Sequence, residues 1–178
     1  MVRDFPTSAY FSLIRDTEVP PEPIFLPFMC RVRDFEVDFH SESARLRDFD
    51  KLSFLIRSLC INLTSPAALE HLKFTILFHP ISDLIDSHEF YDHIRQADVW
   101  NHLDSMITHP ISARLQRVEI DVNYTYSYDP EDDDDVFKPN KDDIVDAILR
   151  GLPLLREKGI LFIQADVWDL SDLFHWDS

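Results

Sequence analysis

The chain has 178 residues, 45% of them hydrophobic, and a net charge of −16. This length and apolar content suit one domain with its own core, while the acidic balance argues against nucleic acids and acidic membranes as partners. Its two glycines, Gly151 and Gly159, are too few for the Gly-rich turns that hold phosphates or catalytic nucleophiles.

The sequence predicts an intracellular protein, cytoplasmic or nuclear. Its two cysteines, Cys30 and Cys60, lie in apolar surroundings, which favours buried, reduced thiols over a disulfide. The N-terminus lacks the basic, apolar and small-residue pattern of a signal peptide. The longest apolar stretch is too short to cross a bilayer.

Residues 1–30 form a poorly defined N-terminal segment. A short amphipathic helix is predicted from Thr7 to Arg15. The prolines that follow it exclude a continuous helix over the rest of the segment. They are Pro20, Pro21, Pro23 and Pro27.

Four segments share an apolar spacing of three, two and two residues, and each ends in the alternation of a strand with one buried face. They are Val32, Phe35, Val37 and Phe39; Ile56, Leu59, Ile61 and Leu63; Leu69, Leu72, Phe74 and Ile76; and Leu115, Val118, Ile120 and Val122. Such spacing is typical of a leucine-rich repeat. The sets begin 24, 13 and 46 residues apart, so the predicted array is irregular, and its 13-residue step leaves no room for a crossover helix.

Helices are predicted before the last two strands. The first has an apolar face of Trp100, Leu103, Met106 and Ile107. It ends before Pro110. The second begins at Asp142, and we expect Gly151 to close it in the left-handed conformation. Pro153 then starts a short helix that ends at Gly159.

The strands that begin at Lys73, Arg117 and Ile160 are 44 and 43 residues apart. Right-handed crossovers would make them parallel, with the helices on the outer side. The predicted fold class is therefore α/β, an irregular leucine-rich-repeat-like solenoid fragment. This domain covers residues 31–166, includes an acidic loop at 127–141, and is followed by an apolar C-terminal cap at 167–178, for which a partner-binding peptide is the alternative.

The sequence predicts no catalytic group, cofactor or metal site. His88 and His93 are five residues apart and diverge on a helix, whereas a zinc-binding helix spaces them by four. The six carboxylates of residues 129–135 lack the glycine and glutamate that a calcium loop needs. They are interpreted as a solvated loop, with incidental calcium binding or contact with a basic partner as alternatives.

Three parts of the chain resemble fungal F-box proteins with leucine-rich-repeat-like C-terminal regions. They are residues 56–78 (IRSLCINLTSPAALEHLKFTILF), residues 99–104 with 114–120, and residues 151–155 with 158–161. In such proteins an N-terminal F-box docks the Skp1 adaptor of a cullin ubiquitin ligase, and the repeats present a surface for substrates. The F-box itself is not evident, because Pro23 and Pro27 interrupt the helix that should follow residues 19–22 (VPPE).

The strand pattern and the resemblance together predict a non-enzymatic protein-recognition module. Side chains that alternate with the buried set would form an acidic, polar face for a basic protein partner. They are Glu36, Asp38, Asn62, Thr75, Glu119, Asp121 and Asn123. A truncated structural remnant without a partner of its own, and a hydrolase-type enzyme that uses histidine or carboxylate groups, are the alternatives.

Overall fold

The computed structural model describes residues 8–13, 32–41, 49–54, 56–57, 69–79, 87–126 and 137–170. Five parallel strands form one sheet, and their order in the sheet is their order in the chain. They are β1 (Ser8–Leu13), β2 (Asp34–Ser41), β3 (His71–Phe78), β4 (Arg117–Tyr126) and β5 (Leu161–Asp169). The predicted α/β class and the parallel sheet are confirmed.

Helices separate the strands from β2 onward. Helix α1 comprises the helical residues 49–54 and 56–57, between β2 and β3. The other helices are α2 (Ser87–Gln96) and α3 (Asp98–Ser105) before β4, and α4 (Lys141–Leu149) and α5 (Pro153–Lys158) before β5. Two 3-10 turns, Met106–Thr108 and Pro110–Arg114, lead from α3 to β4. The predicted helix before Pro110 is thus α3 with a tighter last turn.

The helices pack on one face of the sheet, where aromatic rings join the two layers. Phe49 of α1 lies 5.9 Å from Phe39 of β2 and 5.8 Å from Phe78 of β3, between ring centroids. Phe90 of α2 lies 5.6 Å from Phe78 and 5.3 Å from Tyr124 of β4. All five side chains are at most 2% exposed. Burial of this face is the main favourable term in folding.

Three of the four predicted strand segments are confirmed, as β2, β3 and β4. The second is wrong at its start, because Ile56 is a buried residue of α1, and its other three members lie outside the described residues. Parallel neighbours need a crossover between them. Paired positions on neighbouring strands are 26, 37, 46 and 43 residues apart in the chain, which leaves room for such a crossover each time. These positions are 8 with 34, 34 with 71, 71 with 117, and 118 with 161.

The helix predicted from Thr7 to Arg15 is wrong, since this segment contains β1, which pairs in parallel with β2. A helix of nine residues gains little stability on its own. A strand of the same segment instead adds backbone hydrogen bonds to the exposed edge of β2. In the sequence SAYFSL, Ala, Phe and Leu also alternate with Ser, Tyr and Ser. This alternation suits a strand.

Helices α4 and α5 confirm the predicted starts near Asp142 and at Pro153. The Asn140 side chain accepts a hydrogen bond from the Asp142 amide at 2.8 Å and so caps α4. Gly159 ends α5 with a φ of 72°, as expected. The left-handed conformation predicted for Gly151 is wrong: among the described glycines only Gly159 has a positive φ.

Several predicted features lie wholly or partly outside the described residues. They include both cysteines, residues 127–136 of the acidic loop and residues 171–178 of the cap. Within the predicted cap, residues 167–169 belong to β5. The last strand therefore continues beyond the predicted boundary at residue 166.

Candidate functional site

The side of the sheet opposite the helices carries no fully buried side chain among the described residues, and we call it the open face. Its residues are Ser8 and Tyr10 of β1; Asp34, Glu36, Asp38 and His40 of β2; His71, Lys73, Thr75 and Leu77 of β3; Arg117, Glu119, Asp121, Asn123 and Thr125 of β4; and Phe162, Gln164, Asp166 and Trp168 of β5. This face is largely polar and exposes three aromatic side chains at its two sides.

In-register pairing aligns the open face into rows that run across the strands. One row contains Tyr10, Glu36, Lys73, Glu119 and Phe162, and the next contains Asp38, Thr75, Asp121 and Gln164. Neighbouring strands are about 4.8 Å apart, and residues two apart along a strand are separated by about 7 Å. Charged side chains from different strands are therefore within reach of one another.

Lys73 lies at the centre of the open face between two carboxylates. Its Nζ is 3.3 Å from Glu36 Oε1 and 3.3 Å from Asp121 Oδ2. The hydrogen bond to Glu36, followed by the interaction with Asp121, raises the pKa of Lys73 despite partial desolvation. Because one ammonium group serves two carboxylates, this group of three side chains keeps a net negative charge.

Arg117 is held at the β4–β5 side of the same face. It forms an ion pair with Glu119, and its guanidinium lies 4.3 Å from the centroid of the Phe162 ring. A guanidinium stacked on an aromatic ring and paired with a carboxylate is well ordered. Arg117 therefore neutralises the charge of Glu119 locally. It also covers part of Phe162, which remains 49% exposed.

On the other side of the face, two carboxylates of β2, Asp34 and Asp38, are paired with a histidine and a neutral hydroxyl. The Tyr10 hydroxyl donates a hydrogen bond to Asp38 Oδ2. The Asp34 carboxylate lies 2.6 Å from Nδ1 of His71. A neutral hydroxyl does not compensate a carboxylate charge, so this part of the face remains negative.

Asp166, on β5, is paired with a residue outside the sheet. Its Oδ1 accepts a hydrogen bond from Lys141 Nζ at 2.9 Å, and its Oδ2 accepts one from Gln164 Nε2 at 2.9 Å. These bonds, with Lys141 the larger cause, lower the pKa of Asp166. The first residue of α4 is thereby tied to the open face.

A groove of about 560 Å³ occupies the end of the open face where the strands begin. Tyr10 and Arg117 stand at its two sides, with Glu36, His71 and Lys73 between them. The groove is lined by both signs of charge. It is thus suited to a polar segment that brings complementary groups rather than to an apolar ligand.

Six of the seven predicted site residues lie on the open face; Asn62 is outside the described residues. Sequence reasoning missed Lys73, Arg117, Tyr10, Phe162 and Trp168. Lys73 had a signal, because it alternates with the buried Leu72 and Phe74. Phe162 and Trp168 had none, since an apolar run and an apolar C-terminus predict burial rather than the exposure of 49% and 56% observed.

Two of the described histidines flank the same strand. His71 and His79, at opposite ends of β3, bond to Asp34 and to the Thr125 hydroxyl. Within the part of the chain that the structure describes, no three histidine, cysteine or acidic side chains are grouped to hold a metal ion.

A second cavity, of about 320 Å³, lies between α1 and α3 on the helical side. Ser53 Oγ is 2.9 Å from Nδ1 of His102 there, and Asp98 also lines the cavity. Ser53 is only 7% exposed, and its hydroxyl joins the two helices. This polar contact adds to the packing of the Phe49 and Trp100 rings, whose centroids are 5.9 Å apart, between the same two helices.

Comparison with protein-family models, curated proteins and solved structures finds no significant match. None of the described helices combines the length and the hydropathy that crossing a membrane requires.

Proposed function

We propose that the chain is a non-enzymatic protein-recognition module whose open face binds a basic protein surface. The observation that carries this proposal is the charge of the open face. Among the described strand residues of this face, six carboxylates, Asp34, Glu36, Asp38, Glu119, Asp121 and Asp166, stand against the cations Lys73 and Arg117. With Lys141, which reaches Asp166 from α4, the balance is −3 with the histidines neutral.

The architecture supports a leucine-rich-repeat-like solenoid as the finer description of the fold. The strands are parallel and follow chain order, and the helices pack on one side of the sheet. In a solenoid each unit contacts its neighbours, and the sheet side forms an extended surface for binding. The open face would be that surface here. The long, unequal spacing of the strands fits an irregular array.

The partner's charge follows from the electrostatics of the face. Lysine and arginine side chains of a partner would meet Asp38 and Asp121 beside Thr75, where the sheet supplies more carboxylates than cations. Such complementarity speeds encounter and selects among partners more than it adds affinity. Screening by salt weakens it, so we expect binding to decline as ionic strength rises.

The test compares charge-neutralising variants that keep side-chain shape. The chain carrying Asp38→Asn and Asp121→Asn is compared with one carrying Asp146→Asn and Glu157→Gln. Both lose two negative charges, but Asp146 and Glu157 are exposed on α4 and α5. Each is used to capture proteins from the source cells, and affinities for a captured basic protein are then measured.

We expect the open-face variant to bind the basic protein at least tenfold more weakly, while the helical variant keeps wild-type affinity. Equal affinities would show that binding does not use this face. The role in a ubiquitin ligase is an analogy to the F-box proteins that the chain resembles. The same capture tests it: co-purification of Skp1 or a cullin supports the analogy, and their absence from the captured material counts against it.

A further inference from the structure

The last strand of the sheet has a sequence that is complementary to itself. Residues 162–168 read Phe-Ile-Gln-Ala-Asp-Val-Trp, so residues at equal distances from Ala165 are alike or complementary in kind. Two aromatic residues lie outermost, then two β-branched residues, then an amide and a carboxylate. We propose that β5 pairs in antiparallel fashion with β5 of a second copy of this chain, about a twofold axis at Ala165.

Within the described part of the chain, half of the backbone hydrogen-bonding groups of β5 point away from its neighbour β4. The Ile160 carbonyl accepts from the Val118 amide at 2.8 Å, and the Leu170 amide donates to the Tyr126 carbonyl at 2.8 Å. Since these groups alternate in direction along a strand, the even-numbered residues of β5 face β4 and the odd-numbered ones face away. Among the described residues, β5 pairs with β4 alone.

An axis at Ala165 brings the outward groups of the two copies into register. Ala165 would face Ala165 of the second copy, and Ile163 would face Val167, each as a hydrogen-bonded pair. In this register even-numbered residues lie opposite even-numbered residues, and side chains of directly opposite residues point to the same side of a sheet. The open faces of both copies would therefore lie on one side. The two five-stranded sheets would become one.

The side chains on the open face match in this register. Phe162 would lie opposite Trp168 of the second copy, and Gln164 opposite Asp166, each twice by symmetry. These are non-hydrogen-bonded positions, where side chains of antiparallel strands approach most closely. The Gln164 amide has two N–H donors, so it can keep its bond to Asp166 of its own chain and donate the second to Asp166 of the other copy. Shifting the axis to Asp166 would instead place two carboxylates opposite each other.

Exposure supports β5 as the edge that pairs. Phe162 and Trp168 are 49% and 56% exposed, and the inward Leu161, Ile163 and Val167 are only partly buried. Natural sheet edges are protected by charged side chains, especially lysine, by proline or by bulges; β5 contains neither lysine nor proline, and its two charged residues are Asp166 and Asp169. A second copy would cover this apolar surface and satisfy the backbone.

The test is sedimentation equilibrium of the full chain over a wide concentration range at low and moderate salt. A reversible dimer is expected, and it should be tighter at higher salt, because each copy carries a charge of −16 and salt screens their repulsion. Binding of a basic partner to the open face has the opposite salt dependence. The pairing does not rest on the proposed function, and the two can fail separately.

A matched set of variants tests the register. Gln164→Asp places a like charge opposite Asp166 twice and should weaken the dimer about two- to thirtyfold, whereas Gln164→Lys should strengthen it by a similar factor. The controls are Gln96→Asp and Gln96→Lys, which make the same charge changes at an exposed site on α2. Circular dichroism checks that each variant is folded.

Hydrogen exchange gives a second readout: the outward amides of Ile163 and Ala165 should be protected at dimer concentrations and exchange faster on dilution. A chain that stays monomeric at both salt concentrations overturns the proposal. A dimer whose affinity responds equally to the Gln164 and Gln96 variants overturns the β5 register.

Discussion

The backbone at Gly151 passes so close to Trp100 that a β-carbon on residue 151 would lie 2.5 Å from the Trp100 β-carbon. Trp100 belongs to α3 and is 1% exposed, and its Nε1 donates a hydrogen bond to the Ile94 carbonyl at 2.6 Å. The indole cannot move away without breaking this bond. Gly151 therefore sets how closely the turn after α4 packs on α3.

We expect Gly151→Ala to destabilise the protein by overpacking, by about 1–3 kcal/mol. The added methyl group would contact the first atoms of the Trp100 side chain rather than its flexible end, so relief requires a backbone shift. The free energy of unfolding, measured by urea denaturation, checks this value.

Gly159 provides the matched comparison, because a β-carbon there has open space but a φ of +72°. Gly159→Ala should cost about 1–2 kcal/mol through the left-handed backbone alone, and Gly159→Asn should recover part of the loss. Asparagine at residue 151 should bring no such recovery. Full stability of Gly151→Ala would contradict the close packing.

A second prediction concerns Asp104, a buried carboxylate at the end of α3 that caps a different helix. It accepts hydrogen bonds from the amides of Leu154 at 3.1 Å and Leu155 at 2.9 Å. The residue before α5, Leu152, makes no side-chain cap. Asp104→Ala should therefore lower the free energy of unfolding by about 1–2 kcal/mol.

Asp104→Asn keeps an acceptor oxygen and should lose less than Asp104→Ala in the same denaturation experiment. Asp92→Ala is the control, because Asp92 is exposed and its ion pair with Arg95 is at the surface; it should change stability by less than about 0.5 kcal/mol. Similar losses for Asp104→Ala and Asp92→Ala would argue against the capping role.

The sequence predicted the parts of the fold that local periodicity determines. Alternation of apolar residues located β2, β3 and β4, because each has one face in the core and one face in solvent. It misassigned Ile56, since a spacing of three residues is compatible with a helix as well as with the turn before a strand. It misassigned β1, whose strand conformation depends on pairing with β2.

For the candidate site, alternation was again sufficient to place Glu36, Asp121 and their neighbours on one side of the sheet. The ion pairs of Lys73 could not be predicted, because they depend on the register of three strands that are distant in sequence. The role of Gly151 was missed for a similar reason. Its constraint comes from Trp100, fifty-one residues away in the chain, rather than from its own φ.

A third prediction concerns the free energy of unfolding at alkaline pH. The carboxylates of Glu36 and Asp121 raise the pKa of Lys73 above its ordinary value of 10.5. A raised pKa in the folded state stabilises the protein below the unfolded value, and this contribution disappears as pH rises through the folded pKa. The free energy of unfolding of the wild-type protein should therefore lose the contribution of the Lys73 ion pairs above about pH 10.5. The Lys73→Met variant lacks this contribution at every pH.

The Lys73 side chain is 37% exposed, so solvent limits the loss in Lys73→Met at pH 7 to under about 1 kcal/mol. Lys73→Arg should keep the contribution at higher pH, because arginine stays charged. Urea denaturation of the three proteins between pH 7 and pH 11 measures this. Parallel stability curves for wild type and Lys73→Met across that range would refute the coupling.

A fourth prediction concerns the acid limb, where Asp166 and Lys141 are coupled. The hydrogen bond from Lys141 is the main reason that the pKa of Asp166 lies below its ordinary value of 3.8. A lowered pKa stabilises the folded state above the unfolded value, and the contribution is lost as pH falls through the folded pKa. Lys141→Met should therefore move the Asp166 titration upward toward 3.8.

Carbon-13 NMR of the Asp166 carboxyl group, followed from pH 6 downward, measures that titration directly. Lys158→Met is the matched control, because it removes the same charge from an exposed position at the end of α5. It should leave the Asp166 midpoint unchanged, apart from any small general effect of net charge. The remaining bond from Gln164 should keep the midpoint in Lys141→Met slightly below 3.8. If Lys141→Met and Lys158→Met shift the midpoint equally, the ion pair does not form in solution, and the N-terminus of α4 is not tied to the open face.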